Sequence, residues 1–189
     1  MADTQWPTFE VFQQARPGEP HRNAGSVHAP DAEIALLNAR DIFVRRPYCH
    51  SLWVVPAGEI LAVTAQALED GLWPQETAFP AARPEPEPYY VCQKLSQRPS
   101  ETYVTCVGAV RARTPVEALR RAVETFNEGT PWVWWVFPAR AVTRSEADDI
   151  ASMFDPALDK PYRDQSYYRT VSTMRRIRQA GAAPHEDAP

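Results

Sequence analysis

The sequence has little of what staples a fold, holds a metal or cradles a phosphate. Three cysteines, Cys49, Cys92 and Cys106, stand among 189 residues. An odd, sparse set is no disulfide framework, and no CxxC pair offers zinc its usual spacing. The expectation is three reduced thiols, some buried as small hydrophobes. Twenty basic residues face 24 acidic ones, a net charge of −4, and they form no basic block, which disfavours nucleic acid. No apolar run approaches the ~18 residues of a membrane span. The opening MADTQWPTFE lacks the charged and apolar pattern of a signal peptide. A soluble cytoplasmic protein is expected.

The motifs of familiar chemistry are missing too. HExxH, ExxH, GxSxG, GxGxxG and GxxxxGK[ST] do not occur. His21 and His28 are seven residues apart, so strand alternation puts them on opposite faces, against shared metal ligation. Cys49 and His50 are neighbours in sequence, which is not the geometry of a nucleophile and its base; they read as a loop before a strand. Asp148 with Asp149, and Glu85 with Glu87, read as solvated surface. No residue is assigned a catalytic, cofactor-binding or metal-binding role.

Proline is abundant, 19 against seven glycines. Five lie between Gly71 and Pro88, a stretch that reads as an extended, semi-rigid connector. The last residues, AGAAPHEDAP, read as a disordered tail.

On either side of the connector the chain repeats itself. Phe9–Gln13 (FEVFQ) matches Tyr89–Gln93 (YYVCQ), each alternating as a strand with one buried face. Ala24–Ala29 matches Val107–Ala112 with Gly25 and Gly108 in register, where glycine marks a bulge or a close backbone approach. A helix follows in each copy. Asp31 caps the first, whose stripe is Ala35, Leu36, Ala39, Ile42 and Phe43. Thr114 caps the second, with Pro115 in first place and Glu117 completing a capping box; its stripe is Ala118, Leu119, Ala122, Thr125 and Phe126. LWVVPA (Leu52–Ala57) and WWVFPA (Trp134–Ala139) then give matching strands, and Glu59–Val63 and Arg140–Thr143 short final segments. The expected fold is α+β: two tandem strand–strand–helix–strand modules, residues 6–70 and 89–150, packed as a pseudo-dimer. Residues 71–88 link them, 151–178 form an arm, and 179–189 the tail.

Aromatics mark the second copy. Trp132, Trp134 and Val136 share one strand face, and Val133, Trp135 and Phe137 the other. A strand apolar on both faces is covered twice, by its own helix and by the sister module or another chain. Trp53, Trp132 and Trp134 are therefore candidate contacts, since tryptophan is enriched in interface cores.

An ordered set of residues carries a family resemblance. Trp6-Pro-x-Phe-Glu-Val-Phe12, His21-Arg-x-x-Gly-Ser-x-His-Ala29, Ala35-Leu-x-Asn-Ala-Arg-Asp41, Arg45-Arg46 and Ser51-x-Trp-Val-Val55 resemble the phenylacetic acid degradation protein PaaB family. This is the B subunit of the multicomponent ring-1,2-phenylacetyl-CoA epoxidase. Phe154-Asp-Pro-Ala157, Lys160, Tyr162-Arg163 and Tyr167-Tyr168 resemble the family's aromatic, basic tail, here placed after the second copy. The second copy departs from the pattern: Arg111 stands for His28 and Ala109 for Ser26.

The resemblance implies a ubiquitin-like (β-grasp-like) roll for each module. It implies a subunit with no metal, flavin or iron–sulfur cofactor, which dimerises and bridges pairs, each pair a di-iron catalytic subunit with its structural partner subunit. A fused pair of modules would replace the dimer. Implied partner contacts are His21, Arg22, His28, Arg40, Arg45 and Arg46 in the first module and Asp155, Lys160, Tyr162 and Arg163 in the arm. The alternatives are a free-standing protein binding an aromatic or acyl-CoA ligand, and a subunit of a related oxygenase for another CoA thioester.

Overall fold

Caps and stripes set the local elements. In the first half, β1 (Thr8–Gln14) and β2 (Arg22–His28) precede helix α1 (Ala32–Phe43), β3 (Ser51–Pro56), β4 (Leu61–Thr64) and a short helix α2 (Ala65–Glu69). In the second, β5 (Glu87–Lys94) and β6 (Thr105–Ala112) precede α3 (Pro115–Thr125), β7 (Val133–Pro138), β8 (Thr143–Arg144) and a short helix α4 (Ile150–Phe154). Helix α5 (Thr170–Gly181) stands apart, with Met174 and Ile177 exposed. The computed structural model describes residues 5–44, 49–79, 82–96, 103–157 and 170–181. Asp31 accepts the Ile34 N–H at 2.8 Å, and Thr114 accepts that of Glu117 at 3.0 Å, as capping residues do. Glu117 takes the Arg113 N–H at 2.7 Å, one residue before the cap.

Each helix lays its alanines on the sheet. Ala35 and Ala39 are buried on α1, and Val116, Ala118, Leu119 and Ala122 on α3; Ile42 and Thr125 are exposed. The two aligned glycines have one cause. A Cβ on Gly25 would stand 3.0 Å from the ring of Phe43, and one on Gly108 would stand 2.5 Å from the ring of Phe126. Each glycine makes room for the phenylalanine at the end of its helix.

The strands form one antiparallel sheet in the order β4-β7-β5-β6-β2-β1-β3-β8. Exchanging each strand for its counterpart reads the same order backwards, which is the signature of a two-fold relation. The seam shows it residue by residue. Arg22 pairs with its own counterpart Thr105. Asn23 N–H donates to the Val104 carbonyl at 2.8 Å, and Cys106 N–H donates to that of His21 at 2.8 Å. The sheet edges repeat it: Leu61 lies opposite Val136, as Thr143 lies opposite Val54.

The final strands are exchanged. β4 pairs with β7 of the second half, and β8 with β3 of the first. Residues 57–60 join β3 to β4, although six strand steps separate the two in the sheet order. Six steps cover about 29 Å in a flat sheet, while the connection from Pro56 to Leu61 reaches at most about 18 Å. The sheet therefore curls until its halves face each other. Phe12, Trp53, Val55, Cys92, Val104 and Phe137 form the core between them. The cores under α1 and α3 lie on the outer faces. Both faces of β7 are covered: Trp134 and Val136 lie under α3, and Phe137 and Trp135 join the central core.

Five expectations are corrected. No half closes as an independent ubiquitin-like roll, because its fourth strand belongs to the other half's edge. The connector is not merely extended: Glu76–Ala78 form a 3-10 turn, and Trp73 and Phe79 pack against the second core. Helix α5 runs through Gly181, into the stretch expected to be a tail. Cys92 and Cys106 form a disulfide and are not free thiols, whereas Cys49 is free and buried. His21 and His28 share a face, because Ala24 is an extra residue bulged out of β2 opposite the Val11/Phe12 step. They stand at opposite ends of the strand, so shared ligation fails for distance and not for parity.

Candidate partner interface

The curl brings His21, one residue before β2, onto the indole of Trp53 on β3. Their rings stack at 3.6 Å and 20°, and His21 Nε2 lies 3.1 Å from Ser51 Oγ. The second half contributes Tyr90, 4.6 Å from Trp53, and Arg144, whose guanidinium lies 5.8 Å from the indole centroid. Burial, then the charges of Arg144 and His50, push the His21 pKa down to about 4. The ring is neutral at pH 7 and acts here as a stacking plane with one hydrogen bond. Trp53 is 8% exposed and Trp134 3%. Within the chain both are covered: Trp53 is a contact between the two halves, against Tyr90 and Arg144, and Trp134 lies in the core under α3.

Other candidates are on the surface. Arg22 is exposed on the seam. His28 is exposed, its Nδ1 3.1 Å from the Trp6 carbonyl and 3.3 Å from Thr8 Oγ1. Arg40 holds Asp41 through Nε and Nη2, each at 3.1 Å. Trp132, 50% exposed, lines a groove of about 710 Å³ with Gln66, Glu69 and Lys94. Asp155 is exposed where Asp155–Ala157 turn after α4. Arg45, Arg46, Lys160, Tyr162 and Arg163 lie outside the described residues. The structure thus gathers His21 and Trp53 but scatters His28, Arg40, Trp132 and Asp155.

Two features escape a reading of motifs. Arg140 joins Glu59 of the first half at 3.4 Å and Glu87 at 3.3 Å, beside a cavity of about 360 Å³ that Arg83 and Arg113 also line. On α1, Ile34 and Leu37 are 38% and 42% exposed. Comparing the outer faces of the two repeated helices would have found the second; the first joins residues 81 apart in the chain and leaves no local signal. Burial raises the Cys49 thiol to about 12, which makes it inert. Among the described residues, no group of three or more His, Cys, Asp or Glu could hold a metal ion. No helix among them is long and apolar enough to cross a membrane.

Comparison with known proteins places this geometry. The family model described as "Phenylacetic acid degradation B" (PaaB) matches two segments, residues 5–79 and 89–175. A relative from Escherichia coli (strain K12), the B subunit of 1,2-phenylacetyl-CoA epoxidase, is 48% identical over 62 residues. That match covers 33% of this chain and 65% of the relative, so the chain spans less than two thirds of the relative's length. No solved structure matches.

Proposed function

The chain belongs to the phenylacetic acid degradation B (PaaB) family, and from that premise we propose that it is a non-catalytic, bridging subunit of a multicomponent di-iron oxygenase acting on phenylacetyl-CoA. One observation carries the reading: two segments that match one family model face each other about a dyad, residue against counterpart. A subunit that works as a symmetric pair can be supplied by one chain in this way. The units of the duplication are residues 6–70 and 89–150, with the connector at 71–88 and the arm at 151–178. The partners are the di-iron catalytic subunit and its structural partner subunit, in the cytoplasm, and the oxygen chemistry belongs to them.

Co-purification tests this. Tagged chain expressed with those two subunits is expected to hold both through size exclusion. A chain that elutes free of both sinks the reading. The groove beside Trp132 favours a second reading, a free-standing binder of an aromatic or acyl-CoA ligand. Calorimetry of the isolated chain with phenylacetyl-CoA decides: heat of binding supports the binder, and none leaves the subunit. If the complex forms but does not oxidise phenylacetyl-CoA, its substrate is another CoA thioester.

A further inference from the structure

The two halves provide an internal control for what their shared fold requires. The scaffold contacts at the helix and strand ends are the same in both. His28 reaches the Trp6 carbonyl at 3.1 Å, and its counterpart Arg111 reaches the Pro86 carbonyl at 2.6 Å. Asn38 donates to the His28 carbonyl at 3.4 Å, and its counterpart Arg121 donates to the Arg111 carbonyl at 2.7 Å. The outer faces built on these contacts differ. α1 exposes Ile34 and Leu37, where α3 carries Glu117 and Arg120.

At these positions on α3 the charges are paired. Glu117 holds Arg121 at 2.6 Å, and Arg120 lies 3.8 Å from Glu76 of the connector. That face reads as solvated surface with ordinary ion pairs. It also shows that the helix packs without apolar residues at those positions. Ile34 and Leu37 therefore serve something other than folding. Exposed apolar residues with a polar rim mark a contact surface. Among the described residues the rim on α1 is acidic: Asp31, Glu33 and Asp41 are exposed, and the helix's one base, Arg40, is bound to Asp41. Against a second copy of the same face, acid would meet acid. An apolar surface rimmed by lysine or arginine fits instead.

We propose that the outer face of α1 is the chain's one docking face for the oxygenase, receiving an apolar, basic-rimmed surface of the catalytic and structural subunit pair. The face on α3 has been surrendered to charge, so each chain binds one such pair where a dimer of identical subunits would bind two, and its bridging narrows to holding together the two subunits of that pair. This rests on the subunit reading above.

The test is native mass spectrometry and affinity measurement. The intact chain is mixed with the purified catalytic and structural subunits of the same organism. One pair per chain is expected; two pairs per chain overturn the proposal. Ile34→Glu with Leu37→Arg transfers the α3 residues onto α1, and α3 itself shows that the fold accepts them. This variant is expected to bind about 100-fold more weakly, with an unchanged melting temperature. Leu37→Ala, a milder change, should lose about tenfold. Glu117→Ile with Arg120→Leu should leave the affinity within about twofold, as changes away from an interface do. Full binding by the Ile34→Glu/Leu37→Arg variant overturns the docking face and leaves the subunit reading standing. No binding by the unaltered chain sinks the subunit reading itself and the proposal with it. A chain that self-associates through α1, and stops doing so in that variant, overturns the proposal in favour of a second copy.

Discussion

Phe12 and Asn23 face each other across β1 and β2, and Cys92 and Cys106 hold the same two places across β5 and β6. One pair is an aromatic beside an amide that binds Glu10 at 2.8 Å; the other is a disulfide. Next to them, His21 stacks on Trp53 where the second half sets Val104 near Trp135. Register, bulge and pairing are kept, while the side chains in the same slots differ completely. The backbone pairing thus specifies the fold, and the halves are free to diverge wherever a slot is merely filled. They do not diverge where a contact is geometric, as at Gly25 over Phe43 and Gly108 over Phe126.

The harshest challenge to this likeness is to separate the halves. A chain cut before β5 leaves β4 without β7, β3 without β8, and the central core open. It is expected to lose cooperative unfolding as a monomer, read by circular dichroism and size exclusion; a stable monomer would refute the exchanged-strand picture. The disulfide comes next. It closes a separation of 14 residues, and a loop of that size contributes about 3 kcal/mol in the chain-entropy account. Cys92→Ala with Cys106→Ala should lower urea stability by that order without reductant, and the gap to the unaltered chain should vanish with reductant.

Glycine substitutions probe the two halves more finely. Gly108→Ala should cost about 1–3 kcal/mol by overpacking Phe126, and Phe126→Leu should recover part of it. Gly25→Ala should recover less with Phe43→Leu, because Gly25 sits at φ +133°, where a side chain is strained in any company. The smallest effect belongs to His21. Below its ordinary pKa of 6.5 the unfolded chain takes a proton that the folded chain refuses until about pH 4. Stability is therefore full above pH 6.5 and falls through that window, on the order of 1 kcal/mol for this partly exposed group. His21→Gln should flatten this part of the pH–stability curve; an unchanged curve would exclude the histidine.

What could be read in the sequence was local. Asp31 and Thr114 announce their helices, the alanine stripes announce the faces, and the doubled aromatics of β7 require two coverings. The glycines pointed to a bulge or a close approach but not to the extra residue beside each, and two errors follow. Were β6 regular, with no bulge at Val107, Cys92 would face Val107 and not Cys106; were β2 regular, with no bulge at Ala24, His21 and His28 would lie on opposite faces. The strand exchange was invisible too, because β4 has four residues and β8 two, too short to carry a pattern. For the interface, the enrichment of tryptophan in contact surfaces pointed at Trp53 and Trp134, which the fold buries among its own elements. Hydrophobicity alone did not separate these from Ile34 and Leu37, since only the curl of the sheet decides which apolar residues are left outside.

The exchanged strands also set an order of events during synthesis. The Leu52 N–H waits for the Ser145 hydroxyl, a partner 93 residues further along the chain. At about 5–20 residues per second, the ribosome needs roughly 5–20 seconds to supply it. Through that interval the first half has left the exit tunnel with the edge of β3 unpaired and Phe12, Trp53 and Val55 uncovered. The nascent chain is thus most prone to aggregate when it is half made, and a slowed ribosome in the second half lengthens the exposure.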